Sequence, residues 1–348
     1  MSSPREHVIR AMAYENPEVI PVIYAESKAG LHTHKEPLLK LFNRFPRDNA
    51  MEFNEIPKPD PKCLDADGNY RERITDEWGT VWQHLIFGVA GHPTEYPFKD
   101  WNAAADFVFP EIPSLDSEAF RLAKEAVETK KETFFVVEGW VSIFEKLHAL
   151  RPIDDLFCNL IEEDPALLDF LERLVEHQCA SIDYLLATGV DAVMFADDWG
   201  TQNGQLISTD LFRTLFKPAY GKMFSRVRAA GKKIFFHSCG KLDALFDEMI
   251  ELGVNVFWIQ IPLYESDEFF QKCKDRGVSL YIHPDRQNLI PLGTPDEIER
   301  KIKAYAETFH QLGGSGMFFI EMENDAPFEN VKSLIESIYK YRETKPVE

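Results

Sequence analysis

Short apolar segments alternate with helical segments along almost the whole chain, and this alternation constrains the fold more than any other feature. Eight apolar segments have the pattern of buried strands, near residues 20, 50, 135, 193, 235, 256, 280 and 318. Strand–helix alternation implies parallel strands with right-handed crossovers, and eight such units close into a (β/α)8 barrel, the TIM-barrel fold. A doubly wound sheet is the alternative, but no glycine-rich phosphate loop follows the first strand. We predict one barrel domain over residues 1–348.

The residues between the second and third predicted strands have a different character. Pro57, Pro59 and Pro61 open this segment, and Asp67-Gly68 marks a turn. The alternation from Tyr70 to Trp82 is typical of a hairpin. We therefore predict that residues 57–115 form a hairpin-containing insertion near the mouth of the barrel.

Charge and composition limit the partners and the compartment. The 348 residues carry a formal net charge of −20, which disfavours binding to nucleic acid and to anionic membranes. No apolar run approaches the length of a membrane span, and the charged, proline-broken N-terminus does not resemble a signal peptide. Five cysteines without paired spacing argue against a disulfide framework. We expect a cytoplasmic protein that binds neither nucleic acid nor membrane.

The segment Lys232–Gly240 has the pattern of a buried strand that ends in reactive side chains. His237 and Cys239 are two residues apart, so both side chains leave the same face of the strand at its carboxyl end. Imidazole and thiolate are ligands that zinc prefers. A buried structural cysteine beside a hydrogen-bonded histidine is the alternative interpretation.

Polar residues occur at the ends of the other predicted strands as well. In a barrel all carboxyl ends meet at one mouth, so these residues are expected to lie close together. They are Glu26, Glu55, Glu138, Asp197, Asp198, His237, Cys239, Gln260, His283, Asp285, Arg286, Glu321 and Glu323. A catalytic zinc takes three protein ligands, and we predict Glu321 as the third, with Glu323 as the alternative.

Several motifs resemble the uroporphyrinogen decarboxylase superfamily, and the resemblance extends roughly from Pro4 to Tyr341. The motifs are Phe53-Asn54-Glu55-Ile56, Phe195-Ala196-Asp197-Asp198-Trp199-Gly200, Phe235-Phe236-His237-Ser238-Cys239-Gly240, Leu292-Gly293-Thr294-Pro295-Asp296-Glu297 and Ala326-Pro327-Phe328-Glu329-Asn330-Val331. The resemblance implies a (β/α)8 barrel. The true decarboxylases of this superfamily act on porphyrinogens without metal, and an arginine-bearing N-terminal loop holds the substrate carboxylates. The matching loop here, Tyr24–Gly30, has no arginine, and Glu55 stands where those enzymes have an aspartate.

The other branch of the superfamily contains cobalamin-dependent methyltransferases. Their zinc is held by a His-x-Cys motif, which His237 and Cys239 match, and by a later cysteine on the last strand. Glu321 or Glu323 stands in place of that cysteine here. A carboxylate ligand makes zinc a harder Lewis acid, so the resemblance implies an oxygen or nitrogen methyl donor rather than a thiol.

From these observations we predict a zinc-assisted methyltransferase that moves a methyl group from a small methylated substrate to a corrinoid (cobalamin) on a partner protein. An aryl methyl ether is the favoured donor. The predicted catalytic residues are Glu55, Glu138 and Asp197, of which Glu138 or Asp197 would protonate the leaving oxygen. The predicted substrate-binding residues are Trp140, Trp199, Trp258, Asp198 and His283. A decarboxylase of porphyrin biosynthesis and a non-catalytic metal-binding barrel are the alternatives.

Overall fold

The computed structural model describes residues 2–343, so residue 1 and residues 344–348 of the predicted domain lie outside it. The strands are β1 Val22–Tyr24, β2 Glu72–Thr75, β3 Val81–His84, β4 His92–Glu95, β5 Val137–Val141, β6 Ala192–Ala196, β7 Lys233–Ser238, β8 Val256–Ile259, β9 Ser279–Ile282 and β10 Gly316–Ile320. The helices are α1 Pro4–Met12, α2 Lys28–Arg44, α3 Glu118–Lys131, α4 Phe144–Leu150, α5 Ile153–Ile161, α6 Pro165–Thr188, α7 Thr209–Leu211, α8 Lys217–Ala229, α9 Ala244–Leu252, α10 Asp267–Asp275, α11 Leu289–Leu292, α12 Pro295–Gln311 and α13 Phe328–Tyr341.

Seven of the strands form one parallel sheet in the order β1-β10-β9-β8-β7-β6-β5. The sheet is curled, because side chains from one face of all seven strands meet in a single inner cluster. That cluster contains Ile23, Phe135, Ala192, Met194, Phe235, Val256, Tyr281, Met317 and Phe319, together with Val8 and Ala11 of α1. The opposite face packs against the surrounding helices in the larger hydrophobic core. The predicted α/β architecture is therefore confirmed as a curled parallel sheet covered by helices.

Helix α1 covers the amino-terminal edge of this sheet. The Arg5 amide donates a hydrogen bond to the carbonyl of Thr133, just before β5, at 3.0 Å. The Tyr14 hydroxyl donates to the carbonyl of Val278, just before β9. Helix α1 thus closes the inner cluster on its amino-terminal side, and the carboxyl ends of the strands open toward a cavity.

The prediction of a strand near residue 50 is wrong. Asp48 and Asn49 do lie beside β1, where the Asp48 amide donates one backbone hydrogen bond to the Val22 carbonyl at 2.9 Å, but side chains make the other hydrogen bonds. The Val22 amide donates to Asp48 Oδ2 at 2.8 Å, the Tyr24 amide donates to Asn49 Oδ1 at 3.1 Å, and Asn49 Nδ2 donates to the Tyr24 carbonyl at 2.9 Å. These polar side chains satisfy the edge of β1, and residues 50–54 form no strand.

Three predicted helix boundaries are confirmed by their caps. Thr294 and Glu297 form the predicted capping box at the start of α12. Helix α6 begins after the N-cap Asp164, with Pro165 at its first position, and ends at Gly189, whose φ of 93° is left-handed. These boundaries place the strands that follow the helices, and with them the residues at the strand ends.

Strands β2, β3 and β4 form a separate antiparallel sheet within residues 57–115. The segment packs on the helices through buried Trp78 and Trp101, with Lys146 lying over the Trp78 ring at 4.6 Å. The turn after β3 reaches the start of α2. A Cβ at Gly88 would come within 2.5 Å of the Ala29 nitrogen, so only glycine permits this approach. Among residues 2–343, no helix is both long and apolar enough to cross a membrane.

We expect substitution of Asp191 by asparagine to destabilise the fold by about 2–4 kcal/mol, because it removes the centre of a half-buried ion pair. Asp191 accepts from the Val136 amide at 3.0 Å and from both terminal nitrogens of Arg5, at 2.5 and 2.8 Å. Urea denaturation measures the change. The matched control is Asp183→Asn, which breaks an exposed pair with Arg226 and should cost at most about 1 kcal/mol.

The same pair makes part of the stability depend on pH. Burial acts to raise the pKa of Asp191, but hydrogen bonds from Arg5 and Val136 outweigh it, so the pKa lies below its ordinary value. Its contribution is therefore present above the unfolded pKa of about 3.9 and disappears as the pH falls toward the folded pKa. Equal acid sensitivity of wild type and Asp191→Asn would contradict this assignment.

Candidate metal centre at the carboxyl edge of the sheet

The carboxyl ends of the parallel strands open into one cavity of about 740 Å³. Residues from the ends of six strands supply its walls, and the segment that follows β3 covers part of it. The lining includes Trp140 in β5, His237 and Cys239 at the end of β7, Trp258 and Gln260 at the end of β8, residues 283–288 after β9, residues 321–323 after β10, residues 26–28 after β1, and residues 88–90. The predicted meeting of strand ends is therefore present.

The side chains of His237 and Cys239 lie next to each other in the wall of this cavity. Cys239 Sγ lies 3.5 Å from His237 Nε2. His237 Nδ1 lies 3.0 Å from the carbonyl oxygen of Trp258. Because a carbonyl can only accept, Nδ1 carries the proton, and the lone pair of Nε2 points toward the cysteine. A partner of this kind orients a metal-binding histidine in known metal sites.

Asp198 is the third member of this group. Its Oδ1 lies 3.5 Å from His237 Nε2 and accepts a hydrogen bond from the Cys239 amide at 2.7 Å. The candidate ligand atoms of Asp198, His237 and Cys239 all lie within 4.8 Å of one another, and no other such group occurs in residues 2–343. Asp198 follows β6, the immediate neighbour of β7 in the sheet.

The predicted third ligand, Glu321, does not join this group. It follows β10, which β8 and β9 separate from β7 in the sheet order. Its Oε2 instead lies 3.5 Å from Arg286 Nη1, and Glu323, the alternative ligand, lies 3.4 Å from the same nitrogen. Among residues 2–343, the acid that lies beside His237 and Cys239 is Asp198, which the sequence analysis placed among the substrate-binding residues.

The donor set fits a divalent metal of the zinc type. Nitrogen, sulfur and carboxylate oxygen converge on one point, as in catalytic sites that have three protein ligands and one open position. Burial raises the pKa of the Cys239 thiol to about 12, and the Asp198 carboxylate adds to this effect. A nearby cation is therefore needed to hold the thiolate at neutral pH.

Two tryptophans and a histidine complete this side of the cavity. The ring centroid of His237 lies 4.2 Å from that of Trp258 and 5.6 Å from that of Trp140. Trp140 is 56% exposed and offers an open face to a ligand. Trp258 Nε1 donates to His283 Nδ1 at 3.3 Å. Burial, with Arg286 and His237 adding to it, lowers the pKa of His283 to about 3, so this imidazole is neutral.

Trp140 reaches the cavity only because β5 contains a bulge. Glu138 pairs with Val193 and Val141 pairs with Phe195. Between these pairs β5 therefore advances by three residues while β6 advances by two. Gly139 lies in this bulge, and its φ of 95° is in the left-handed region that glycine readily adopts. The bulge inverts the alternation of the strand and turns the tryptophan inward.

Glu138 does not line the cavity. It lies on the outer side of the sheet, where Lys130 Nζ donates to its Oε1 at 2.7 Å. Glu55 follows the segment without strand structure and is exposed. Neither residue is brought to the predicted site, because one is on the helix-facing side and the other belongs to a strand that does not form.

Asp197 and Trp199 also point away from the cavity, and both are fully buried. Asp197 accepts hydrogen bonds from the Ile143 and Glu145 amides at 3.0 and 2.7 Å and from the Tyr220 hydroxyl at 2.5 Å. Trp199 donates to the same hydroxyl at 2.9 Å. These contacts tie the end of β6 to neighbouring helices, so the predicted proton donor and the predicted aromatic wall are structural residues.

The sequence analysis gave no role to Gln260 and Arg286, which both line the cavity. Gln260 Oε1 accepts from the Gly240 amide at 3.1 Å and from Gln202 Nε2 at 2.9 Å, and so joins the loops after β6 and β7. Their polar side chains at strand ends were visible in the sequence, but their partners come from other strands. Only the assembled sheet shows which strand ends meet.

Comparison with known proteins gives a family match and a similar fold. A family model described as uroporphyrinogen decarboxylase (URO-D) matches residues 117–341. A solved methyltransferase from Methanosarcina mazei covers 98% of this chain and 99% of its own, with 17% identity and a TM-score of 0.63. At this identity the similarity is one of fold.

Weaker matches occur to an endo-beta-1,4-xylanase from Gloeophyllum trabeum and to a dihydropteroate synthase from Xanthomonas albilineans. The xylanase match has 12% identity, covers 65% of this chain and 82% of the other, and has a TM-score of 0.40. The synthase match has 11% identity, covers 53% and 58% of the two chains, and has a TM-score of 0.33. No curated protein matches the chain.

We expect the purified protein to bind one zinc ion per chain and Cys239→Ala and Asp198→Ala to lose it. Removal of one of three ligands should weaken zinc binding by more than about 100-fold, since loss of an outer partner alone costs 10- to 100-fold. Elemental analysis after dialysis measures this. The control is Cys158→Ala, which removes an exposed cysteine outside the cavity. If Asp198→Ala keeps its full zinc content, or if Glu321→Gln loses its zinc, Glu321 is the third ligand instead of Asp198.

Proposed function

Because the chain belongs to the uroporphyrinogen decarboxylase family, we propose that it is a methyltransferase of that family which passes a methyl group to the cobalt of a corrinoid. The corrinoid would be carried by a separate partner protein. The observation that carries this proposal is the convergence of Asp198, His237 and Cys239, of which His237 and Cys239 line the same cavity as the rings of Trp140 and Trp258. The similar fold of the Methanosarcina mazei methyltransferase supports it.

The proposal includes a complete (β/α)8 barrel. Residues 48 and 49 lie beside β1 and would supply the eighth wall through side-chain hydrogen bonds. The inner cluster, which joins β1 with the start of β5, supports closure on this side. The five cysteines are all free thiols, which supports a reducing compartment such as the cytoplasm.

In the proposed reaction the ligand group and the tryptophans have separate roles. Asp198, His237 and Cys239 would hold zinc, which supplies a Lewis acid that stabilises negative charge on the leaving heteroatom. Trp140 and Trp258 would bind the flat body of the donor, and Trp199 has no part in this pocket. Residues 88–90 would shield the donor from water while leaving an opening for the acceptor. An aryl methyl ether matches these aromatic walls.

Porphyrinogen decarboxylation is the other activity of the family, and the charges of the cavity oppose it. Four carboxylates line the cavity, at Glu26, Asp285, Glu321 and Glu323, against the cations of Lys28 and Arg286. Lys28 is already paired with Glu26 at 3.0 Å. An excess of negative charge repels a substrate with many carboxylates.

The proposal is tested with reduced free cobalamin, cob(I)alamin, as methyl acceptor and a series of methyl donors. Formation of methylcobalamin from a methoxyarene, followed by its absorbance, supports the proposal. Transfer from methanol or a methylamine alone would keep the methyltransferase and refute the aryl ether as donor. Decarboxylation of a porphyrinogen without metal, with no methyl transfer from any donor, would overturn the proposal.

We expect Trp140→Ala to raise the KM for a methoxyarene about 3- to 10-fold. The loss of one stacking face corresponds to about 0.5–1.5 kcal/mol. The KM for methanol should stay unchanged, because methanol has no ring to stack. Steady-state kinetics on both donors measure the difference. An equal change for both donors would show that the ring shapes the site rather than binds the arene.

A further inference from the structure

Gln260 presents an unpaired amide nitrogen in the cavity. Its Oε1 accepts from the Gly240 amide at 3.1 Å and from Gln202 Nε2 at 2.9 Å. Because a backbone amide can only donate, the contact with Gly240 identifies Oε1 and leaves Nε2 as the other atom of the side-chain amide. Among residues 2–343, Nε2 has no hydrogen-bond partner, and it is accessible to solvent. Gln260 therefore offers its N–H bonds to a ligand in the cavity.

The position of this amide follows from the alternation of side chains along β8. Trp258 and Gln260 are two residues apart, so both side chains continue the inner face of the strand, and both line the cavity. The ring centroid of Trp258 lies 4.2 Å from that of His237. Gly240, which donates to Gln260, is the residue that follows Cys239. The free amide nitrogen thus belongs to a side chain that lies between an aromatic wall and the ligand group.

Close packing between the loops after β6 and β7 fixes the backbone to which Gln260 is bound. A Cβ on Gly240 would overlap the carbonyl group of Gly200, so the two loops touch backbone to backbone. The Lys241 amide donates to the Thr201 carbonyl at 2.8 Å. The Gly240 amide therefore has a fixed position, and it orients the Gln260 side chain before any ligand binds. A donor that is oriented in advance needs no reorganisation when charge develops on its acceptor.

Other nitrogen donors on this side of the cavity already have partners within the chain. Trp258 Nε1 donates to His283, and Gln202 Nε2 donates to Gln260 itself. Arg286 Nη1 faces the two glutamates after β10. The nitrogen of Gln260 is a neutral donor without such a partner in the part of the chain that the structure describes. The ligand atom that it suits is an oxygen with a free lone pair.

We propose that the Gln260 amide donates a hydrogen bond to the ether oxygen that leaves the methyl group, an assignment that rests on the methyltransferase proposal. The C–O bond breaks with its electron pair on oxygen, and the methyl carbon bonds to cobalt, which supplies both electrons and is oxidised from Co(I) to Co(III). Negative charge grows on the oxygen in the transition state, so the hydrogen bond stabilises that state more than the neutral ether. The oxygen leaves as a phenolate and takes a proton from solvent.

The first test varies the basicity of the leaving phenolate, with cob(I)alamin as acceptor. Loss of one oriented donor to a developing oxyanion costs about 10²- to 10³-fold in kcat. Gln260→Met keeps the length of the side chain without its amide, so it should slow kcat for an unactivated methoxyarene by about 100-fold or more. A nitro-substituted methoxyarene leaves as a more stable phenolate, which needs less help, and should be slowed by less than about tenfold.

Two further variants separate the N–H donor from the tie between the loops. Gln260→Glu keeps an oxygen that can accept from Gly240 and Gln202 but has no N–H bond, so it should show the same selective loss as Gln260→Met. Gln202→Leu removes one partner of Oε1 and leaves Nε2 in place, so it should change the rates of both methoxyarenes by one common factor. A selective loss in Gln202→Leu, or equal slowing of both methoxyarenes in Gln260→Met, would overturn the proposal, because the glutamine would then only shape the site.

Binding of 4-nitrophenolate, the leaving group of 4-nitroanisole, separates this inference from the methyltransferase proposal. Its absorbance reports binding, and the measurement needs neither methyl donor nor acceptor. Wild type should bind the phenolate at least about tenfold more tightly than Gln260→Met, since a hydrogen bond to a charged oxygen is lost, and Gln202→Leu should keep most of the wild-type affinity. If no donor is turned over but this difference is present, the proposed function fails while the oxygen-binding amide stands. Equal binding by wild type and Gln260→Met removes the hydrogen bond in either case.

Discussion

The structure depends on the alternation of side chains between the two faces of a curled parallel sheet. Residues two apart along a strand share a face, so every strand divides its side chains between an inner cluster and a helix-facing layer. The same division continues one or two residues past the end of each strand. There the inner series enters the cavity and the outer series enters the packing between sheet and helices. Which residues can do chemistry is thus decided by whether they continue the inner or the outer series.

Neighbouring acids at the end of β6 show how sharp this division is. Asp198 continues the inner series of Ala192 and Met194 and meets His237 and Cys239. Asp197 continues the outer series and is tied by Tyr220 and two backbone amides. The buried carboxylate stabilises the strand end that holds its neighbour in place. Two chemically identical side chains therefore have different roles, because one peptide step changes the face.

Much of the fold and part of the site could be predicted from the sequence. Strand–helix alternation gave the parallel sheet, and the His-x-Cys spacing gave two of the three candidate ligands. Counting by twos from Met194 leads to Asp198 and not to Asp197, so the signal that favours Asp198 was present in the sequence. The bulge at Gly139 could not be found in this way, because a glycine in a strand does not show that an extra residue is inserted. The pairing of Arg286 with two glutamates could not be predicted either, because it depends on the order of the strands in the sheet.

The absent strand near residue 50 and the two glutamates after β10 follow from one physical rule. A polar group taken out of water needs a partner, and the partner is not always the one that regular structure supplies. At the edge of β1, one backbone hydrogen bond from Asp48 and the side chains of Asp48 and Asn49 provide that partner, and residues 50–54 form no strand there. In the cavity, Glu321 and Glu323 both have the Arg286 guanidinium as their partner, at 3.5 and 3.4 Å. The first arrangement takes the place of a strand of the predicted barrel, and the second keeps both glutamates on the side of the cavity formed by the ends of β9 and β10.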